Sequence, residues 1–131
     1  MSDVQINEFL ELIDKISVWK SSKISNPNKF VLLLSICHLI EKNPNRGNRF
    51  PFDDELINTF KLLWKKYTNQ NECFPEYPYY HLITSNLWHH KISPGKERDY
   101  NNRRRFTPRM LKEIIDYSFL DPDFYSLLKD N

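Results

Sequence analysis

The sequence predicts a mainly α-helical fold of the α+β kind, a compact helical domain carrying one short β-hairpin. Three observations predict it. Only two glycines stand against eight prolines in 131 residues, so few turns can rest on glycine's left-handed conformation, which argues against an all-β sandwich. Apolar residues recur at helical spacing in several separate segments. Between them, one segment is crowded with aromatics on both sides of the polar tripeptide Thr84-Ser85-Asn86. The length fits one domain, residues 1–131, and a hydrophobic content of 40% with 15% aromatics is enough to form a core.

The elements follow in order. Ile6, Phe9, Leu10, Ile13 and Ile16 give an amphipathic first helix. After a polar loop, Asn28 is placed to cap a helix from about Lys29 to Glu41. Its run from Phe30 to Ile40 is apolar nearly all round, so it is expected to be the central buried helix, with His38 a core residue. A turn-rich loop, Asn43 to Arg49, leads to Asp53-Asp54-Glu55, acids that suit a helix start. Leu56, Ile57, Phe60, Leu63, Trp64 and Tyr67 mark that helix's inner face, with Lys65 and Lys66 at its end. Pro75 and Pro78 disfavour helix interior, so Tyr79–Ile83 and Leu87–Lys91 are expected to be the two strands of the hairpin. An extended basic loop then runs to Arg105. Thr107-Pro108 starts a helix whose buried stripe is Leu111, Ile114, Ile115 and Phe119, and Asp121-Pro122 starts a short last one.

Net charge is +2, but its distribution is uneven. From Lys91 to Lys112 eight basic residues face two acids, and from Glu113 onward five acids face one lysine. A basic segment beside an acidic tail suits a face that meets a polyanion, or else a solvated surface with local salt bridges. Cys37 and Cys73 form no CxxC pair, no zinc spacing is visible, and Cys37 reads as a buried free thiol. Catalytic patterns are missing: no HExxH, no phosphate-binding glycine loop and no GxSxG. His89 and His90 on one strand point to opposite faces and make poor joint ligands. The expectation is a cytoplasmic protein with no membrane helix, no cofactor, no metal and no catalysis of its own.

Two segments carry a binding signal. Arg103-Arg104-Arg105 precedes the Thr107-Pro108 helix start, and arginine forks match phosphate oxygens. Tyr77-Pro78-Tyr79-Tyr80-His81-Leu82 interleaves proline with aromatic rings and presents them at a fixed angle. The stretch Phe74 to Trp88, with its Pro75-Glu76-Tyr77-Pro78 core, resembles the signature of the sulfur-binding domain of phosphorothioation-dependent, McrA-type HNH restriction endonucleases. Pro27-Asn28-Lys29-Phe30 followed by Val31-Leu32-Leu33-Leu34 is similar to that family's second motif, in the same order and at a like separation.

The resemblance implies a domain that binds double-stranded DNA carrying a phosphorothioate. Tyr77 and Pro78 would wall the sulfur pocket, with His81 at its edge. Lys29 would stand near the modified phosphate beside Asn28, and Arg103, or Arg104 or Arg105, would hold a neighbouring one. Asn28 replaces the family's histidine, Phe30 its proline, and Ser85-Asn86 its Asp-Gly, which alters base contacts and the turn. The expected partner is phosphorothioated DNA, with a nuclease domain or subunit in another chain. Rival readings are a modification-independent DNA-binding domain with the hairpin as a wing, a protein-interaction domain, and a fragment of a nuclease.

Overall fold

The run Val31 to Ile40 has apolar side chains in nearly every direction, and it forms the centre of the molecule. In the computed structural model, which describes residues 27–102 and 106–130, this run lies in helix α1, Pro27–Lys42, with Val31, Leu32, Leu33, Leu34, Ile36 and Leu39 all buried. Two expectations change here. Asn28 is within the helix, because Pro27 occupies its opening turn, where a missing N–H costs nothing. His38 is exposed, on the one stripe of α1 that faces outward. The helix expected over Ile6–Ile16 falls outside the described residues, as do Arg103, Arg104 and Arg105.

Helix α2, Asp54–Thr68, starts as its acids suggest. The Asp53 carboxylate accepts the Leu56 N–H at 3.0 Å, a cap that contributes about 1 kcal/mol. Leu56, Phe60 and Trp64 face α1, and Phe60 and Trp64 stack at 5.8 Å. Asn69 ends the helix at φ 58°, supplying the left-handed conformation for which this glycine-poor chain has no glycine. Asn86 does the same at φ 63°.

The next segment departs from expectation. Glu76–His81 is a helix, α3, and Leu82–Ser85 continues it as a 3₁₀ turn. Pro75 and Pro78 fall before and within the first turn, where backbone N–H groups have no intrahelical acceptor, so neither proline removes a bond. Strand β1, Trp88–Ile92, follows. Its partner is not Tyr79–Ile83 but β2, Ile115–Leu120, which pairs antiparallel with it from Trp88↔Leu120 to Ile92↔Ile115. Two short helices separate the strands: α4, Glu97–Asn102, in place of the expected extended loop, and α5, Pro108–Ile114. The start of α5 is as expected, Thr107 accepting the Met110 N–H at 3.2 Å. It ends at Ile114, earlier than the Ile115–Phe119 stripe suggests. Helix α6, Pro122–Asp130, closes the described chain.

The α-rich α+β class therefore holds, with a two-stranded antiparallel sheet whose first strand is the expected Leu87–Lys91 segment, shifted by one residue, and whose second is Ile115–Leu120 instead of Tyr79–Ile83. The loop before α2 completes the sheet's far side. The Asn48 amide donates to the Leu120 carbonyl at 2.7 Å and accepts the Leu120 N–H at 2.9 Å, while Phe50 and Ser118 exchange both backbone bonds. Trp88, Tyr79 and Phe50 are fully buried where the sheet meets α1 and α3. Among the described residues no helix is long and apolar enough to cross a membrane.

Candidate functional site

Helix α3 is fixed from behind by polar as well as apolar contacts. The Tyr79 hydroxyl donates to the Phe50 carbonyl at 2.7 Å. The Tyr79 carbonyl, one of the helix's last, accepts the Trp88 indole N–H at 2.7 Å. His90 Nε2 lies 3.2 Å from the same carbonyl, and His90 Nδ1 lies 2.9 Å from the Tyr100 hydroxyl. A carbonyl can only accept, so Nε2 carries the proton and Nδ1 accepts from Tyr100. Two side chains from outside the helix, Trp88 and His90, together with the Phe50 carbonyl, thus lock a six-residue element that would not hold alone.

Burial holds His90 neutral, pushing its pKa down to about 4. The folded form therefore binds the proton less readily than the unfolded chain, whose histidine titrates near 6.5. Its contribution is fully present above that value, falls as pH drops towards 4, and levels off below. The expected loss is on the order of 2–3 kcal/mol. Urea unfolding from pH 7 to pH 4 measures it, and His90→Gln should flatten that part of the curve. Burial also pushes Tyr100 up to about 12 and Cys37 up to about 12, so both stay protonated at neutral pH.

The front of α3 carries the residues singled out from sequence. Tyr77 and His81 stand one turn apart and are both exposed, Tyr77 by 37%. Pro78 is buried in the same turn, so its ring belongs to the packed side. Lys29, in the first turn of α1, reaches the neighbouring turn: its Nζ donates to Thr84 Oγ1 at 3.4 Å, and Thr84 Oγ1 donates to the His81 carbonyl at 3.0 Å. The fold thus brings Asn28, Lys29, Tyr77 and His81 to one face, although they come from segments far apart in sequence. Tyr100, three residues before the arginine run, and Phe106, directly after it, pack against Tyr80 at 6.0 Å and 4.5 Å.

Much of the basic segment is locally neutralised. Lys96 pairs with Asp99, Arg109 with Glu113 and Lys112 with Asp54. Sequence reasoning instead passed over Lys61, and credited Lys65 only with suiting a helix end. Both are exposed on α2, with no ion pair among the described residues. Lys61 is close enough to favour the Cys73 thiolate, although burial of Cys73 outweighs it and raises that pKa. Only the i, i+4 spacing of these lysines on an exposed face could have signalled them.

Beside Tyr77 the surface sinks into an open depression of about 730 Å³. Pro27 and Asn28 form one side, Trp64 and the Gln70-Asn71-Glu72 loop another, and Phe74 and Tyr77 the third. The Trp64 indole N–H has no acceptor among the described residues. Those residues contain no cluster of three or more metal-ligating side chains. No family model and no curated protein matches the chain.

Proposed function

We propose that this chain binds double-stranded DNA and recognises a phosphorothioate in its backbone. The observation that carries the reading is the convergence of Lys29 with the exposed Tyr77–His81 turn, joined through Thr84. Sulfur is larger, more polarizable and less strongly hydrated than the oxygen it replaces. Against the Tyr77 ring it loses little, whereas a phosphate oxygen there forfeits water hydrogen bonds. That unmet cost is about 1–3 kcal/mol, or roughly tenfold to hundredfold in affinity. Pro78 contributes from within, setting the turn that presents Tyr77, and His81 borders the contact.

Lys29 supplies charge at the modified phosphate, and the Arg103–Arg105 run is the natural source for phosphates alongside. Tyr100 before that run and Phe106 after it pack on Tyr80, next to His81. Lys61 and Lys65 add cations on α2 that make no ion pair among the described residues, and they would grip modified and plain DNA alike. This favours, as the second reading, a DNA-binding domain indifferent to sulfur. No catalytic group is assigned, so cleavage would require a nuclease domain or subunit elsewhere.

A mobility-shift titration with matched phosphorothioate and ordinary duplexes tests the proposal. The modified duplex is expected to bind roughly tenfold or more tightly, with both affinities falling steeply as salt rises. Equal affinity for the two duplexes would leave only the second reading. Absence of salt-sensitive binding to either would remove both.

A further inference from the structure

We propose that the depression between the start of α1, the end of α2 and Phe74–Tyr77 receives one unstacked nucleobase, guanine in preference to the others. The inference rests on the reading that this chain binds DNA. It adds a base-reading site beside the backbone contact.

Size is the first support. About 730 Å³ lies within the roughly 300–1,000 Å³ of small-molecule sites. The wall chemistry is the second. Phe74 and Tyr77 lie 5.7 Å apart at 45° and are 46% and 37% exposed, so part of each residue's aromatic surface faces solvent. Uncovered rings at a nucleic-acid face are stacking platforms for bases.

The polar groups then choose between occupants. Gln70 and Asn71 each present a donor and an acceptor, and Glu72 presents acceptors alone. No lysine or arginine lines the depression among the described residues, and the Glu72 carboxylate repels an anion. A phosphate, with or without sulfur, therefore belongs outside it, at Lys29 and His81. An apolar peptide side chain would cover these polar groups without bonding them, which is unfavourable. A heterocycle with a polar edge satisfies both the rings and the amides. Guanine's Watson–Crick edge sets an N–H and an amino group side by side, matching the two oxygens of Glu72. Lys29, next to the lining residue Asn28, and Lys61, close to Cys73 between the lining residues Glu72 and Phe74, are cations for the phosphates flanking such a base.

The test uses the full chain and duplexes carrying the phosphorothioate, with each of the four bases in turn placed opposite an abasic position next to the modified phosphate. An unpaired base is cheaper to extrude. These duplexes are expected to bind roughly five- to a hundredfold more tightly than the fully paired one, guanine most of all. Phe74→Ala should abolish that gain. Glu72→Gln should keep the gain but remove the preference for guanine. Phe74 is nearly half exposed, and an unchanged circular dichroism spectrum confirms the variant's fold.

Equal binding of paired and unpaired duplexes by the wild type, with the sulfur preference intact, overturns the base pocket alone. Retention of the gain in Phe74→Ala overturns it as well. A gain on unpaired duplexes that bind equally tightly with and without the phosphorothioate supports the pocket and overturns the sulfur reading. No binding to any duplex overturns both.

Discussion

Trp88→Ala is expected to lower the stability of the fold by about 3–5 kcal/mol, a large share of the roughly 5–15 kcal/mol that a small domain has. Trp88 is fully buried, stacks on Phe50 at 6.1 Å and meets the Tyr79 ring edge-on at 5.5 Å. Its indole N–H also holds the Tyr79 carbonyl near the end of α3. Truncation opens a cavity where sheet, α1 and α3 meet, and it frees the short helix that presents Tyr77. The loss should therefore reach further than packing. Trp88→Phe separates the two effects, since it keeps an aromatic ring but leaves the Tyr79 carbonyl with His90 alone, a cost of about 1–3 kcal/mol. Urea denaturation gives both values. An Ala variant within 1 kcal/mol of wild type would mean that α3 does not depend on this contact.

The same region explains what could be read from sequence and what could not. Helix α1 was legible because a run such as Val31 to Ile40 has no polar face to leave outside, save at His38. The starts at Asp53, Thr107-Pro108 and Asp121-Pro122 were legible because caps are local chemistry: a side-chain oxygen meets an N–H three residues on. Helix α3 was not, since its prolines read as breakers unless their position within the first turn is known. Strand β2 was not either. Leu111, Ile114, Ile115 and Phe119 fit a helical stripe, and only pairing with Trp88–Ile92 across two intervening helices reveals the alternation of Ile115-Asp116-Tyr117-Ser118-Phe119-Leu120.

The candidate site divides along the same line. Tyr77, Pro78 and Lys29 stood out through a motif that lies in two short stretches. The aromatic and amide depression did not stand out, because Asn28, Asn71 and Phe74 become neighbours only when α1, α2 and the loop between α2 and α3 are packed together. Charge was misleading in one respect. Lys96, Arg109 and Lys112 contribute to the basic run in sequence but are each matched by a nearby acid. Lys61, unremarked in an ordinary amphipathic helix, and Lys65, read only as suiting its end, make no ion pair among the described residues.

Tyr77→Ala and Lys29→Ala are expected to fail in different ways, and the difference is the sharpest consequence of the proposed function. Tyr77 supplies an uncharged surface, so its removal should erase the tenfold to hundredfold preference for sulfur, about 1–3 kcal/mol, while leaving affinity for plain DNA nearly intact. Lys29 supplies charge to either backbone. Lys29→Ala should weaken both duplexes together and reduce the slope of log affinity against log salt by about 1. Lys29→Arg should restore most of that loss. Neither change should unfold the chain, because Tyr77 is partly exposed and Lys29 makes, among the described residues, a long bond to Thr84. Pro78→Ala differs again: Pro78 is buried in the turn of α3, so its effect should appear in the denaturation midpoint as well as in binding. Titrations of both duplexes at three salt concentrations separate these outcomes. If Lys29→Ala removes the sulfur preference and Tyr77→Ala spares it, the roles are reversed: the ammonium group, rather than the ring, would then be the part of this face that tells sulfur from oxygen.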